Sequence, residues 1–124
     1  MASTVRLMEG RDLGQVEKLI GGDFPPNFLS LVYERDGSIL GWICCRVSDN
    51  QVVAQAAATK GISGFSIKRL AEAMDSFLMK IGLYFYVFAV HVKRKKWIRI
   101  LDEIGIYERY ATRSMHHWFI RRLR

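Results

Sequence analysis

A chain of 124 residues, 50% apolar and 25% charged, is long enough to bury one substantial core, which excludes a disordered polymer and sets residues 1–124 as one domain. No apolar run reaches the roughly 18 residues of a spanning helix, and no early segment joins a basic start, an apolar run and a small-residue cleavage site, so neither a membrane protein nor a signal peptide is expected. The net charge of +7 lies in the last quarter, where residues 93–124 hold ten Lys and Arg against three acids while residues 1–92 hold nine of each.

Ser3 to Met8 alternates weakly and reads as a first strand. Asp12 stands where a helix cap would, ahead of Leu13, Val16, Leu19 and Ile20 at helical spacing, and Gly21-Gly22 ends that run. Pro25-Pro26 breaks the path, with a short helical turn expected over residues 26–30. Asp36-Gly37 between Leu31–Arg35 and Ser38–Val47 is a strong hairpin signal, and Ser48-Asp49-Asn50 turns the chain into a further strand, Gln51 to Thr59. Ser66 to Ile81 carries an apolar stripe from Ile67 to Ile81 and stops before Gly82, which makes it the clearest helix. Leu83 to Val92 is apolar on both faces and predicts a fully buried strand. Lys95 to Ile104 is helical again, stopped by Gly105, and Ser114 to Arg121 reads as the last strand. A strand–helix–strand passage in the middle implies parallel pairing, hence an α/β (α+β) mixed sheet of six to seven strands with helices on both faces.

The stretch AATKGISGFSIKR, residues 57–69, is the first candidate site. Gly61 and Gly64 let the backbone approach a ligand, Ser63 or Ser66 can cap the helix, and Lys60, Lys68 and Arg69 offer cations, together a weak anion site. The same glycines also make an ordinary strand-to-helix turn, with Lys68-Arg69 on a solvated face. The second candidate is Lys93-Arg94-Lys95-Lys96, which places cations at a helix N-terminus where the dipole is already positive. An acidic partner would relieve that clash, as would solvent; Arg121, Arg122 and Arg124 extend the same patch, which could also lie near DNA. His91, near the end of a buried strand, could act as a base in a cleft or be a hydrogen-bonded core residue. His116 and His117 have no cysteine or carboxylate at ligand spacing, so no metal site is expected. Cys44 and Cys45 are adjacent in a strand, point to opposite faces and cannot readily bridge, which fits strand packing in a reducing compartment.

The order of elements, the glycine-bearing turn and the late stretch RKKWIRILDEIGI, residues 94–106, resemble the GNAT (Gcn5-related N-acetyltransferase) fold. In that family the turn holds the pyrophosphate of acetyl-CoA through a Gln/Arg-x-x-Gly-x-Gly/Ala pattern. Here Ala58 and Ser63, or Gly61 and Ser66 in the other register, stand at the Gln/Arg and second small positions. The resemblance places the family's acidic Tyr at Leu101, its Asn at Arg94 and its basic Glu in a strand that offers only Gln55; the nearest phenols past the helix are Tyr107 and Tyr110. Tyr107 and His91 are therefore the substitutes to consider. The compact order, with the Ser-Gly turn and Ile98 to Gly105, is also similar to small GNAT-like proteins of tailed bacteriophages, internal virion proteins among them. That resemblance implies a pseudoenzyme without a cofactor, in the virion or the host cytoplasm, touching other virion or assembly proteins through its basic quarter. The alternative it leaves is an atypical acetyl-CoA-dependent N-acetyltransferase.

Overall fold

The computed structural model describes residues 3–123, which form a seven-stranded sheet in the order β1-β2-β3-β4-β5-β7-β6. The strands are β1 Ser3–Leu7, β2 Leu29–Arg35, β3 Ser38–Ser48, β4 Gln51–Ala58, β5 Phe85–His91, β6 Glu108–Arg113 and β7 His116–Arg122; the helices are α1 Leu13–Ile20, α2 Gly64–Lys80 and α3 Lys95–Ile104. Every pairing is antiparallel except that of β4 with β5, across the α2 crossover. The expected mixed sheet is thus present, and it has the larger of the two strand counts.

The core divides by sheet face, as strand alternation requires. Leu31, Tyr33, Ile43, Cys45 and Ala54 pack with Leu70, Met74 and Leu78 of α2, while Val32, Trp42 and Cys44 pack with Val16 of α1. The two cysteines are free, fully buried and assigned one to each face. Burial pushes the Cys44 thiol up to about 12, and that of Cys45, beside Met74 Sδ at 3.1 Å, higher still.

Four expectations change. No helical turn follows the prolines: residues 23–27 are irregular and β2 begins at Leu29. Asp12 does not cap α1 with its side chain but ends a 3₁₀ turn, Gly10–Asp12, where Oδ2 accepts the Glu9 N–H at 2.8 Å and the Arg6 guanidinium at 2.7 Å. β6 is an additional strand. Its sequence, ERYATR, is exposed on both faces and so has no alternation, and its hairpin turns through Ser114 and Met115 at φ 53° and 64° without the usual Asn or Gly. Finally, β5 is not fully buried: Tyr86 and Val87 are, whereas Phe85 is 43% exposed and the rest of the strand borders a cleft.

Candidate active site

β4 and β5 share a single register pair, Val53 with Val87, and then part toward their C-terminal ends. On its other edge β4 is laddered to β3 throughout, so the backbone edge of residues 54–58 toward β5 is open. Small side chains (Ala54, Ala56, Ala57, Ala58 and Ala89) leave space between the strands, and a cleft of about 800 Å³ results. Its lining includes Arg46, Lys93 and Arg94, together with His91 and His116, but no Asp or Glu.

The α2 face of the cleft begins at the glycine turn. Gly61 has φ +82°, a left-handed conformation that a side chain would strain, and Ile62 N–H closes the turn on Thr59 C=O at 3.3 Å. Ser63 is the cap: its Oγ accepts the Ser66 N–H at 3.1 Å, and Ser66, buried, shares a 2.9 Å hydroxyl contact with it. The N–H groups of Gly64 and Phe65 at the first turn find no acceptor among the described residues. Beneath the turn, a Cβ on Gly41 would lie 2.9 Å from Leu70 Cδ1 and 3.1 Å from Ile62 Cδ1, so glycine there lets the turn lie close to β3. Of the three expected cations, Lys60 is exposed beside the turn and Lys68 half-buried. Arg69 points elsewhere: it donates to Ser3 Oγ at 3.0 Å and lies over the Tyr33 ring. Tyr33 itself is pulled down to about 8 by hydrogen bonds from Ser3, Ser66 and Arg35. Open N–H groups at a helix start and an open strand edge fit a pyrophosphate followed by a pantetheine arm. The residues that would hold acetyl-CoA are Gly61, Ser63, Gly64, Lys60 and Lys68 with the backbone of 54–58.

Tyr107 lies on this face too, but its proton is committed inward. Tyr86 donates to Asp75 Oδ1 at 3.0 Å, so the 3.3 Å contact between the two hydroxyls is a donation from Tyr107 to Tyr86. Burial pushes both phenols up, Tyr107 well beyond the thiol range of about 8.5, so passing its proton to a leaving thiolate runs uphill. Tyr107 thus belongs to a buried hydrogen-bonded chain. Arg121 completes the chain through Asp75 Oδ2 at 2.9 Å and the Ile106 carbonyl, and so faces the core instead of an external partner. Arg122 is exposed and pairs with Glu108 at 3.2 Å; Arg124 lies outside the described residues. Lys93, Arg94, Lys95 and Lys96 are all exposed at the start of α3, whose first turn has neither a side-chain cap nor an acid.

The α1 face carries different chemistry. Alternation from Trp42 and Cys44 places Arg46 on this face, and the pairing of Arg46 with Val53 and Cys44 with Gln55 places Gln55 beside it. Arg46 Nη1 donates to Gln55 Oε1 at 2.8 Å. Opposite, His91 pairs with His116 across β5 and β7, and their rings meet edge to face with centroids 5.1 Å apart. Their neighbours fix complementary tautomers. His91 Nδ1 accepts the Lys93 N–H at 3.1 Å, so the neutral ring carries its proton on Nε2 and is a donor. His116 Nδ1 lies 2.7 Å from the Ser114 carbonyl and must donate to it, which leaves Nε2 as a lone pair. Of the two neutral rings it is therefore His116, and not the expected His91, that carries the free Nε2 lone pair. Sequence offered one sign of this, the adjacency of Ser114 and His116, but only the register of β5 with β7 brings the ring to the cleft. No group of three or more metal-ligating side chains occurs among the described residues.

No protein-family model and no curated protein matches the sequence. Solved structures do match by shape. A GNAT-family acetyltransferase from Staphylococcus aureus Mu50 is 10% identical over 99% of this chain and 100% of its own, with a TM-score of 0.80. The phosphinothricin acetyltransferase of Sinorhizobium meliloti, solved with acetyl-CoA, is 13% identical over 98% and 89%, TM-score 0.75. The ribosomal-protein-S18-alanine N-acetyltransferase of Escherichia coli is 13% identical over 98% and 94%, TM-score 0.73. At such identities the likeness establishes the fold, which is that of GNAT acetyltransferases.

Proposed function

We propose that the chain is an acetyl-CoA-dependent N-acetyltransferase with an atypical base. The observation that carries this is the parting of β4 from β5 after Val53 and Val87, which leaves an open strand edge leading to the capped start of α2. When bound, acetyl-CoA supplies a thioester whose acyl carbon an amine attacks. The chain's own part is to separate the two reactants by sheet face: Ile67, Leu70 and Ala71 of α2, which follow the turn, on one side, Arg46 and the histidines on the other. His116 Nε2 takes a proton from the incoming ammonium, and His91 Nε2–H, beside it, donates to acceptor oxygen. Among the described residues no side chain lining the cleft serves as a strong acid for the leaving thiolate. Thiols ionise at about 8.5, above neutral pH, so the leaving thiolate takes its proton from solvent. The test is acetylation of an amine panel followed by mass spectrometry: transfer to at least one amine, lost in His116→Gln, supports the proposal, and no transfer to any amine contradicts it.

A second reading keeps the fold without the reaction: a virion or assembly protein of a phage, bound to its partners, or near DNA, through Lys93 to Lys96. It is favoured by Leu101 and Gln55, apolar or uncharged where the resemblance places the family's acid and base, and by exposed cations at the start of α3 that have no ion pair among the described residues. Co-purification of an acidic partner together with silence toward acetyl-CoA would favour this reading over the first. No helix among the described residues is long and apolar enough to cross a membrane.

A further inference from the structure

Arg46 is a half-buried residue in the cleft lining whose guanidinium has an unused fork. Of its nitrogens only Nη1 has a hydrogen-bond partner, the uncharged Gln55 Oε1 at 2.8 Å, and no ion pair engages it among the described residues. Its one partner is a neutral amide, so its charge is not matched by a carboxylate among the described residues. Here the cleft lining supplies no Asp or Glu. Gln55 fixes the guanidinium from one side and leaves Nε and Nη2 for a planar oxyanion, the geometry in which arginine binds best. Arg46 also stands on the α1 face, with Trp42 and Cys44, whereas the glycine turn and α2 pack on the other face with Ile43 and Cys45. It is therefore separated from the cofactor phosphates and turned toward the acceptor.

We infer that the acceptor is a small amine carrying a carboxylate, of amino-acid type, with Arg46 binding the carboxylate and His116 receiving the proton of the amine. This rests on the acetyltransferase reading. The half-buried Trp118, Leu19 and Ile20 line the same face and form an apolar wall for the acceptor's side chain. The balance is ordinary: one C–N bond forms and one C–S bond breaks. Of the two protons lost by the ammonium, one leaves through His116 to solvent and one is matched by protonation of the thiolate. A cationic acceptor such as a polyamine would meet Arg46, Lys93 and Arg94 with no acid to receive it.

The experiment compares phenylalanine, phenylalaninamide and phenethylamine, which share a ring and an amine and differ in the carboxylate. Binding is first read without cofactor by quenching of tryptophan fluorescence, since Trp42, Trp97 and Trp118 all line the cleft. Transfer is then read with acetyl-CoA. The expected result is at least a tenfold tighter response to phenylalanine than to the other two. In Arg46→Gln that preference should vanish while acetyl-CoA binding is kept, and Arg46→Lys should restore part of it. Equal or better binding of phenethylamine, or a preference that survives Arg46→Gln, overturns the inference. If phenylalanine binds selectively and no transfer follows, the reaction is refuted and the carboxylate site stands. If transfer occurs to phenethylamine alone, the reaction stands and the carboxylate site is refuted.

Discussion

The two faces of the cleft are built by different means. The α2 face is mostly backbone: an open strand edge, a left-handed glycine and the first N–H groups of a helix, with one buried side-chain chain, Tyr107–Tyr86–Asp75–Arg121, holding it from behind. The α1 face is side chains: Arg46 steadied by Gln55, and two histidines whose tautomers are set by neighbouring backbone. Backbone sites tolerate sequence drift, because almost any residue supplies an N–H. Side-chain sites do not. The chain shares the fold of a solved GNAT-family acetyltransferase over 99% of its length at 10% identity, a distance at which backbone geometry persists.

The largest expected effect breaks the α1 face alone. His116→Gln should lower kcat by about 10²- to 10⁴-fold, the usual share of a general base, with acetyl-CoA affinity unchanged in calorimetry. Asp75→Ala should act from behind the α2 face by leaving the Tyr86 hydroxyl and Arg121 without their buried acceptor. Because Arg121 keeps some contact with water, a loss of about 2–3 kcal/mol in urea unfolding is expected. Gly41→Val should sharpen the contrast: its side chain would push Leu70 and Ile62, costing about 1–3 kcal/mol and weakening acetyl-CoA binding while leaving phenylalanine quenching in place. Tyr107→Phe should remove one hydrogen bond, about 1 kcal/mol, and leave kcat within a few-fold; a large fall in kcat would restore Tyr107 as the acid.

The smallest effect concerns pH. Asp12, near α1, is held below the usual carboxylate range by the Arg6 guanidinium first, with the Glu9 N–H assisting against burial. A depressed folded value means that the contribution is complete above the unfolded value of about 3.9 and is lost as pH falls through the folded one. The urea midpoint should therefore drop between pH 5 and pH 2, and less so in Asp12→Asn. A native chain should also leave Cys44 and Cys45 unmodified by iodoacetamide until it is unfolded, since both are fully buried and their thiols are pushed up.

Much of the fold was legible because local chemistry and global arrangement agree. Asp36-Gly37 and Asp49-Asn50 adopt the positive φ that their hairpins need, and the stripe from Ile67 to Leu78 packs as its spacing requires. Where they disagree, reading fails. β6 shows no alternation because its stability comes from β7, and β5 reads as fully buried because composition cannot show that its neighbour strand parts from it. Site residues followed the same division. Gly61, Gly64 and Ser63 could be placed from sequence, since a turn and a cap are local. Arg69 and Arg121 could not, because their partners Ser3 and Asp75 are distant in sequence. Arg46 gave no local sign and His116 only its nearness to Ser114; they matter through Gln55 and the Ser114 carbonyl and through the gap between β4 and β5.

Calorimetric titration of the native chain with acetyl-CoA tests the central claim, that the gap between β4 and β5 is a cofactor site. One site with Kd on the order of 10 μM and a matching rise in Tm at saturating ligand are expected. No heat and no thermal shift at millimolar acetyl-CoA would contradict it.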